Sequence, residues 1–289
     1  MGITKTDFMR GMQCERMLWL DKHHPEYKII PPETRVLLDK GNEFGDAAMG
    51  IFGDFVEVRE YYKGTTSPNK KAMARKTEEL IAHGTPVICE AAFFDNDKNY
   101  CAADIIKKNA DNSYDLYEVK NSSGVSESHI KDAAYQTRLI RSSWLDINRI
   151  HIIYHGPDEN NPFVIEDVTE KAESYIPWIN DNLVRLNVVK NQEEEILCPT
   201  GEQCEHPYEC WYYGFCHMKE SGDLDKPRCS WCNLGNPLYV SYHDNEWGVP
   251  CHDERYTSYS FLKAFRRDFP GKSYSTKEII SARHMTALI

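Results

Sequence analysis

Hydrophobic and polar positions repeat at helical spacing over the first third of the chain. Residues 6–20 have a broad apolar side and predict a first helix. Residues 34–52 predict a second helix, and residues 71–83 predict a third, polar one. Thr6 is the expected N-cap of the first helix, and Cys14 falls inside that helix. In the second helix, Gly41 and Gly45 are one turn apart, a spacing that favours close packing.

The middle of the chain changes to strand-like segments. Residues 87–94, 100–108 and 114–120 are apolar runs separated by DNDKN and NADNS, so they predict an antiparallel meander. Helical spacing returns over residues 128–144, followed by an apolar strand at 149–155 and a helix at 169–189 that contains Pro177. A helix that crosses between strands indicates an α/β (α+β) domain with a mixed central sheet flanked by helices.

Composition and charge indicate the number of domains, the compartment and the use of the cysteines. The chain has 289 residues, 41% hydrophobic content and a net charge of −11. The length is enough for one large or two modest domains. The negative charge is unfavourable for non-specific binding to a polyanion. It has no apolar run of about 18 residues and no apolar leader, so we expect a cytoplasmic protein without a membrane partner. In that reducing compartment, ten cysteines favour metal ligation over disulfides.

Acidic residues interrupt the predicted meander. Asp104 lies on its second strand, and Glu118 and Lys120 lie on its third. Alternate strand residues share a face, so Glu118 and Lys120 point together and a hairpin can bring Asp104 beside them. Paired carboxylates favour a hard cation such as Mg²⁺ or Mn²⁺, and the lysine can stabilise charge in phosphodiester hydrolysis. Glu90 is a candidate third carboxylate. The alternative is a solvated strand face without catalytic function.

The same residues resemble a nuclease superfamily. The motifs are CAAD, which ends at Asp104, YEVK at 117–120, and AYQ, which ends at Gln136. Over about residues 3–218 they resemble the RecB-like branch of the PD-(D/E)xK nucleases. The resemblance implies a restriction-endonuclease-like core in which the Asp and Glu bind Mg²⁺ or Mn²⁺, the Lys assists catalysis and the Gln completes the site. The implied catalytic residues are Asp104, Glu118, Lys120 and Gln136.

Two positions depart from that branch. Gly45 stands where many members have a metal-binding histidine, and Ile140 stands where a Gln-x-x-x-Tyr motif has tyrosine. The number of metal ions is therefore left open by the sequence.

A second chemical feature is the tract CPTGEQCEHPYECWYYGFC, in which Cys198, Cys204, Cys210 and Cys216 recur every six residues. Four thiolates suit either an iron–sulfur cluster or tetrahedral zinc. A subset of RecB-like nucleases holds a [4Fe–4S] cluster with one cysteine near the N-terminus and three near the C-terminus. That resemblance implies Cys14, Cys204, Cys210 and Cys216 as ligands of a structural cluster, with Cys198 as the alternative to Cys14.

The last part of the chain resembles a different family. RCSWCNLGNPLYVSYHDNEWGVPCHDERY, at 228–256, is similar to the N-terminal segment of DNA-3-methyladenine glycosylase I. The resemblance implies Cys229 and His243 as zinc ligands and Tyr242 as a residue of the base pocket. The rest of the glycosylase has no counterpart, so we expect a nuclease domain over 1–222 and a partial, mostly helical appendage over 227–289 without base-excising activity.

Three functions follow from these patterns. The first is a metal-dependent DNA nuclease, expected to be an exonuclease acting on single strands or ends in repair or defence. The second is a base-excising DNA glycosylase. The third is a non-catalytic iron–sulfur or zinc module that binds DNA. Cleavage polarity, DNA versus RNA preference and oligomeric state are not encoded in the motifs.

Overall fold

The computed structural model describes residues 2–30, 32–59 and 69–221. Within these residues there are seven α-helices and six strands. The helices are α1 (Lys5–Gln13), α2 (Glu15–His23), α3 (Pro32–Ala48), α4 (Lys70–Ala82), α5 (Glu127–Ser142), α6 (Thr169–Asn191) and α7 (Tyr213–Ser221). The strands are β1 (Val56–Glu57), β2 (Val87–Phe94), β3 (Tyr100–Lys108), β4 (Tyr114–Val119), β5 (Ile147–Asp158) and β6 (Asn161–Asp167).

The strands form one mixed sheet in the order β1-β2-β3-β4-β5-β6. β2, β3 and β4 pair antiparallel, as the meander predicts, and α5 crosses over so that β5 pairs parallel with β4. β1 and β6 are edge strands that the sequence pattern did not predict. The predicted mixed sheet flanked by helices is therefore confirmed. No helix among the described residues is long and apolar enough to cross a membrane.

The described residues divide into two compact units. The first, which we call the sheet unit, comprises Met1–Met12 and Leu37–Gln192. The second, the cysteine unit, comprises Gln13–Val36 and the described residues from position 193 onward. The expected boundary at 222–227 and the C-terminal appendage lie outside the described residues.

The two faces of the sheet carry different packing. On one face, apolar side chains of β2, β3, β4 and β5 form a buried cluster with the end of α3 and the short 3-10 helix that follows it. On α5, most side chains from Ile130 to Ile140 are buried. Ser126 begins this helix with a capping box shared with His129, which satisfies backbone groups at its first turn. The capping box marks the start of α5, and this helix packs against β2, β3, β4 and β5.

The expected single helix over residues 6–20 is wrong. Cys14 has extended backbone angles, φ −158° and ψ 116°, and separates α1 from α2. The N-cap is Thr4 rather than Thr6, because the Asp7 amide donates to Thr4 Oγ1 (3.1 Å) and the Thr4 amide donates to Asp7 Oδ2 (2.8 Å). This reciprocal cap places Lys5 in the first turn of α1.

Candidate functional site

The meander places the two predicted metal-binding carboxylates side by side. Ile105 of β3 pairs with Tyr117 of β4 as the last pair of this ladder, and Asp104 and Glu118 are the next residue on each strand. Continuing the antiparallel register would put both on one face of the sheet, because directly opposed residues share a face. Asp104 Oδ2 also accepts a 2.7 Å hydrogen bond from the Val119 amide, which fixes its side chain at the end of the β3–β4 ladder.

Glu118 is the buried centre of the site, with 1% of its surface exposed. Its Oε1 accepts a hydrogen bond from Lys5 Nζ at 2.9 Å and lies 2.7 Å from Lys120 Nζ. Its Oε2 accepts a hydrogen bond from the Gln136 amide on α5. The structure thus brings Glu118, Lys120 and Gln136 together with Asp104, and it adds Lys5, which sequence reasoning missed.

Asp132 is a second residue that the motifs did not indicate. Lys120 Nζ donates to Asp132 Oδ2, and Lys5 Nζ lies 3.7 Å from the same oxygen. Asp132 and Gln136 are one turn apart on α5, so both project toward the sheet. The spacing of Asp132 and Gln136 in DAAYQ is a signal that could have found this residue.

Two buried side-chain oxygen atoms on α5 have no hydrogen-bond partner among the described residues. Asp132 Oδ1 and Gln136 Oε1 are both buried without a donor. A buried acceptor left unsatisfied costs about 1–3 kcal/mol. These two oxygens therefore favour a hydrogen-bond donor or a cation at this end of α5.

Charges within the site shift the pKa values of its acids in opposite directions. Burial and the neighbouring charge of Glu118 raise the pKa of Asp104 to about 7, although Lys5 and Lys120 oppose the shift. Burial alone would raise the pKa of Glu118, but the ammonium groups of Lys120 and Lys5 hold it well below its usual range. Burial raises the pKa of Asp132 despite the same two lysines. Asp104 is therefore the carboxyl group of this site whose proton is lost near neutral pH.

The two lysines of the site, Lys5 and Lys120, remain protonated because carboxylates surround them. Burial by itself would lower the pKa of Lys5 and Lys120, but the carboxylates of Asp132 and Glu118 raise both pKa values above the ordinary lysine range. The site therefore contains two firmly protonated ammonium groups among three carboxyl groups.

A cavity of about 280 Å³ opens beside these residues, and Lys5, Glu90 and Asp104 lie in its wall. Glu90 Oε1 accepts a 3.0 Å hydrogen bond from Arg59 Nη2. The backbone of Glu90 is in the left-handed region, with φ +56°, which is costly for a residue other than glycine. Glu90 therefore shares the cavity with Asp104, while Arg59 neutralises its charge.

The donor set suits a hard cation, because carboxylate oxygens are the ligands that Mg²⁺ and Mn²⁺ prefer. Within residues 2–30, 32–59 and 69–221, however, no three His, Cys, Asp or Glu side chains are grouped so that they could hold a metal ion. In this state the ammonium groups of Lys5 and Lys120, not a third acidic ligand, surround the Glu118 carboxylate.

The cysteine unit buries the predicted cluster ligands in one apolar cluster, although among the described residues their side chains are not grouped as a metal-binding set. Cys204, Cys210 and Cys216 are buried in one apolar cluster, and Cys14 packs against it. The other buried members are Met17, Trp19, Leu20, Tyr212 and Phe215. Within the part of the chain that the structure describes, none of these four cysteines forms a disulfide. The extended backbone at Cys14 turns this residue into a linker between helices rather than a helical core residue.

Burial makes these thiols weak acids. It raises the pKa of Cys14 to about 11 and that of Cys216 to about 12, and it raises the pKa of Cys210 further, with added repulsion from Cys204, Cys14 and Cys216. Cys198 is half-buried and close enough to Cys14 to raise its pKa as well. Metal ligation requires thiolates, so a bound cation would have to offset this desolvation.

Three predicted residues of the tail, Cys229, Tyr242 and His243, lie outside the described residues.

Comparisons with known proteins give short or weak similarities. No protein-family profile matches the chain. Over 28 residues, 10% of this chain, it is 57% identical to DNA-3-methyladenine glycosylase 1 of Escherichia coli (strain K12), and the match spans 14% of the length of that protein. Among solved structures, the crystal structure of SSO0001 aligns with a TM-score of 0.34 and 12% identity, covering 68% of this chain and 79% of that chain.

Proposed function

We propose that the sheet unit is a metal-dependent DNA nuclease of the PD-(D/E)xK type. The observation that supports it is the arrangement around Glu118: Asp104 lies beside it on the neighbouring strand, and Lys120 Nζ lies 2.7 Å from its Oε1. Gln136 donates to its other oxygen. These are the residues that the nuclease resemblance implies, and the proposal includes a restriction-endonuclease-like core around them.

In this proposal Asp104 and Glu118 hold Mg²⁺ or Mn²⁺, with Glu90 as a third candidate, and the bound ion supplies Lewis-acid activation of water and phosphate. Lys120 stays protonated between Glu118 and Asp132, so it donates to developing negative charge on the phosphate oxygens. Gln136 keeps the Glu118 carboxylate in one orientation.

We further propose that the cysteine unit holds a structural [4Fe–4S] cluster. Cys14, Cys204, Cys210 and Cys216 are the ligands, and Cys198 is the alternative to Cys14 because it lies beside it. A buried, sulfur-rich, apolar cluster is the environment in which iron–sulfur centres are held. Zinc bound to the same thiolates is the competing assignment. Free thiols also fit a reducing, cytoplasmic location.

DNA is the proposed substrate, as single strands or ends, in repair or defence. A short stretch that matches a protein named for a DNA lesion fits this substrate. The acidic charge of the whole chain, −11, means that contacts to DNA must be local rather than spread over the surface.

The test uses labelled single-stranded and double-stranded DNA with Mn²⁺, Mg²⁺ or EDTA. Asp104→Ala and Lys120→Ala should abolish metal-dependent cleavage, because each removes a group of the Glu118 centre. Asp181→Ala, an exposed acid on α6 of the same unit, serves as the control and should cleave like the wild type. Intact DNA with wild-type protein under every condition would refute the proposal and leave a non-catalytic binding module.

Base excision is the second candidate, and it rests on the 28-residue match alone. We expect no release of 3-methyladenine from alkylated DNA. Release above background that Tyr242→Ala abolishes would favour the glycosylase instead. Zinc bound through Cys229 and His243 would support the same interpretation of the tail.

A further inference from the structure

The α1 residue Lys5 lies among the carboxylates although no motif includes it. Its Nζ donates to Glu118 Oε1 at 2.9 Å and lies 3.7 Å from Asp132 Oδ2. Its side chain is 25% exposed, so it reaches into the site from the rim of the cavity. The Glu118 carboxylate is 113 residues away in sequence, and this contact is therefore purely tertiary.

The backbone that carries Lys5 is firmly anchored. The Ile3 amide donates to Asn99 Oδ1 at 2.8 Å, and the Tyr135 hydroxyl donates to the Ile3 carbonyl at 2.8 Å. Lys190 Nζ donates to Asp7 Oδ2 at 2.7 Å on the other side of Lys5. The start of α1 is held in place, whereas the four-carbon stem of Lys5 can change rotamer without moving the helix.

Lys5 and a divalent ion would compete for the same oxygens. Mg²⁺, Mn²⁺ and related ions need oxygen ligands at about 2.0–2.6 Å. Glu118 Oε1 already carries two ammonium groups, from Lys5 and Lys120, within 2.9 Å. Adding a doubly charged ion to this oxygen while both lysines stay would place three cations around one carboxylate. Both lysines are partly exposed, 25% for Lys5 and 21% for Lys120, but Lys5 is the one that lies in the cavity wall.

We propose that Lys5 is an internal counter-ion that takes the place of the divalent cation in the metal-free protein and swings out of the carboxylate group when the ion binds. This inference rests on the proposed nuclease site, and it adds a residue that sets metal affinity. The unpartnered Asp132 Oδ1 and Gln136 Oε1 are consistent with it, because they leave acceptor capacity for the incoming ion or its water.

The test is a Mn²⁺ titration of the full-length protein by calorimetry. Lys5→Met and Lys5→Gln remove the competing charge and should each bind Mn²⁺ about tenfold more tightly than the wild type. Lys5→Arg retains the charge and should bind within about twofold of the wild type. Lys131→Met is the matched control: this α5 lysine has a similar exposure, 26%, and pairs with Glu127 away from the site. It should not change the affinity.

The outcomes separate this inference from the nuclease proposal. Tighter Mn²⁺ binding by Lys5→Met and Lys5→Gln supports the counter-ion role even if no variant cleaves DNA. Unchanged or weaker binding by folded Lys5→Met and Lys5→Gln overturns it, even if the wild type cleaves DNA normally. Absence of Mn²⁺ binding in every variant overturns both proposals. Circular dichroism of each variant establishes that a changed affinity does not come from unfolding.

Discussion

Asp104→Asn tests the electrostatics of the site without any assumption about catalysis. In the folded, metal-free protein the pKa of Asp104 is raised to about 7 by burial and by Glu118, against an ordinary value of 3.8. Asparagine keeps an oxygen that can accept the Val119 amide but cannot ionise. The substitution therefore removes the charge and leaves the local hydrogen bond.

The sign of the effect follows from proton linkage. Because the folded-state pKa is the higher one, the unfolded chain loses the Asp104 proton first as the pH rises. Folded protein then binds more protons than unfolded protein between about pH 4 and pH 7, so the wild type loses stability over this range. Above about pH 7 the folded protein has also lost this proton, so the loss of stability no longer grows with pH.

The pKa difference sets the size of the effect. One unit of pKa difference corresponds to about 1.4 kcal/mol of unfolding free energy. Most of the resulting change in stability falls between about pH 5 and pH 8. The free energy of unfolding of Asp104→Asn, relative to the wild type, should therefore increase by about 2–3 kcal/mol between those two pH values. Urea unfolding in EDTA at pH 5 and pH 8 measures this difference directly.

Glu118→Gln supplies a contrast of opposite sign. The pKa of Glu118 is lowered in the folded state by Lys120 and Lys5, so its ionised form stabilises the protein above about pH 4.5. Glu118→Gln should be less stable than the wild type at pH 8.

A stability difference between Asp104→Asn and the wild type that is the same at pH 5 and pH 8 would refute the assignment of a raised pKa to Asp104.

Three further substitutions test the cysteine unit and the frame of the sheet unit. Cys210→Ala should give colourless protein with a lower melting temperature, measured by visible absorbance and iron content; colourless wild-type protein with stoichiometric zinc would contradict the iron–sulfur assignment. Gly156→Ala should lower the free energy of unfolding by about 2 kcal/mol or more, because its Cβ would lie 1.6 Å from the Asn161 carbonyl oxygen; an unchanged urea midpoint would contradict this. Arg138→Met should cost about 3–5 kcal/mol in the same assay, since it leaves the buried carboxylate of Asp95 without its ion pair; a cost below about 1 kcal/mol would show that this pair contributes little.

The sheet was predictable where the pattern is local. The strands at 87–94 and 100–108 have the predicted bounds, because apolar residues fill both faces and polar turns end them. β1 has two exposed residues and β6 is mostly exposed, so neither produces an apolar run. Pairing with a neighbouring strand holds both, and Phe163 of β6 also packs against the buried cluster. Neither contact can be read from the segment itself.

The helices show the limits of spacing arguments. The break at Cys14 was missed because MQCERMLW contains no proline or glycine, the usual signals of a helix end. Gly41 and Gly45 were expected to allow close packing, yet a Cβ at either position would meet nothing within 4 Å. Their spacing predicted a contact that the described residues do not make.

The candidate site likewise contains residues that the sequence predicted and residues that it did not. Asp104, Glu118, Lys120 and Gln136 come from one hairpin and the helix that follows, so strand register and helical spacing are enough to bring them together. Lys5 reaches the site because the N-terminal segment lies along the sheet, where Thr4 forms a bridge with Tyr100. No local pattern reports a contact across that distance in sequence.

The charge of the group explains why the fold tolerates so many ionisable side chains in one place. Three carboxyl groups, Asp104, Glu118 and Asp132, face two ammonium groups, Lys5 and Lys120. Below about pH 7 the proton on Asp104 makes the sum zero: three negative charges against two ammonium charges and one proton. A divalent ion that replaced both that proton and Lys5 would leave the same sum. Buried charges are tolerated only when they are neutralised, so the metal-free state and the proposed metal-bound state satisfy the same electrostatic condition.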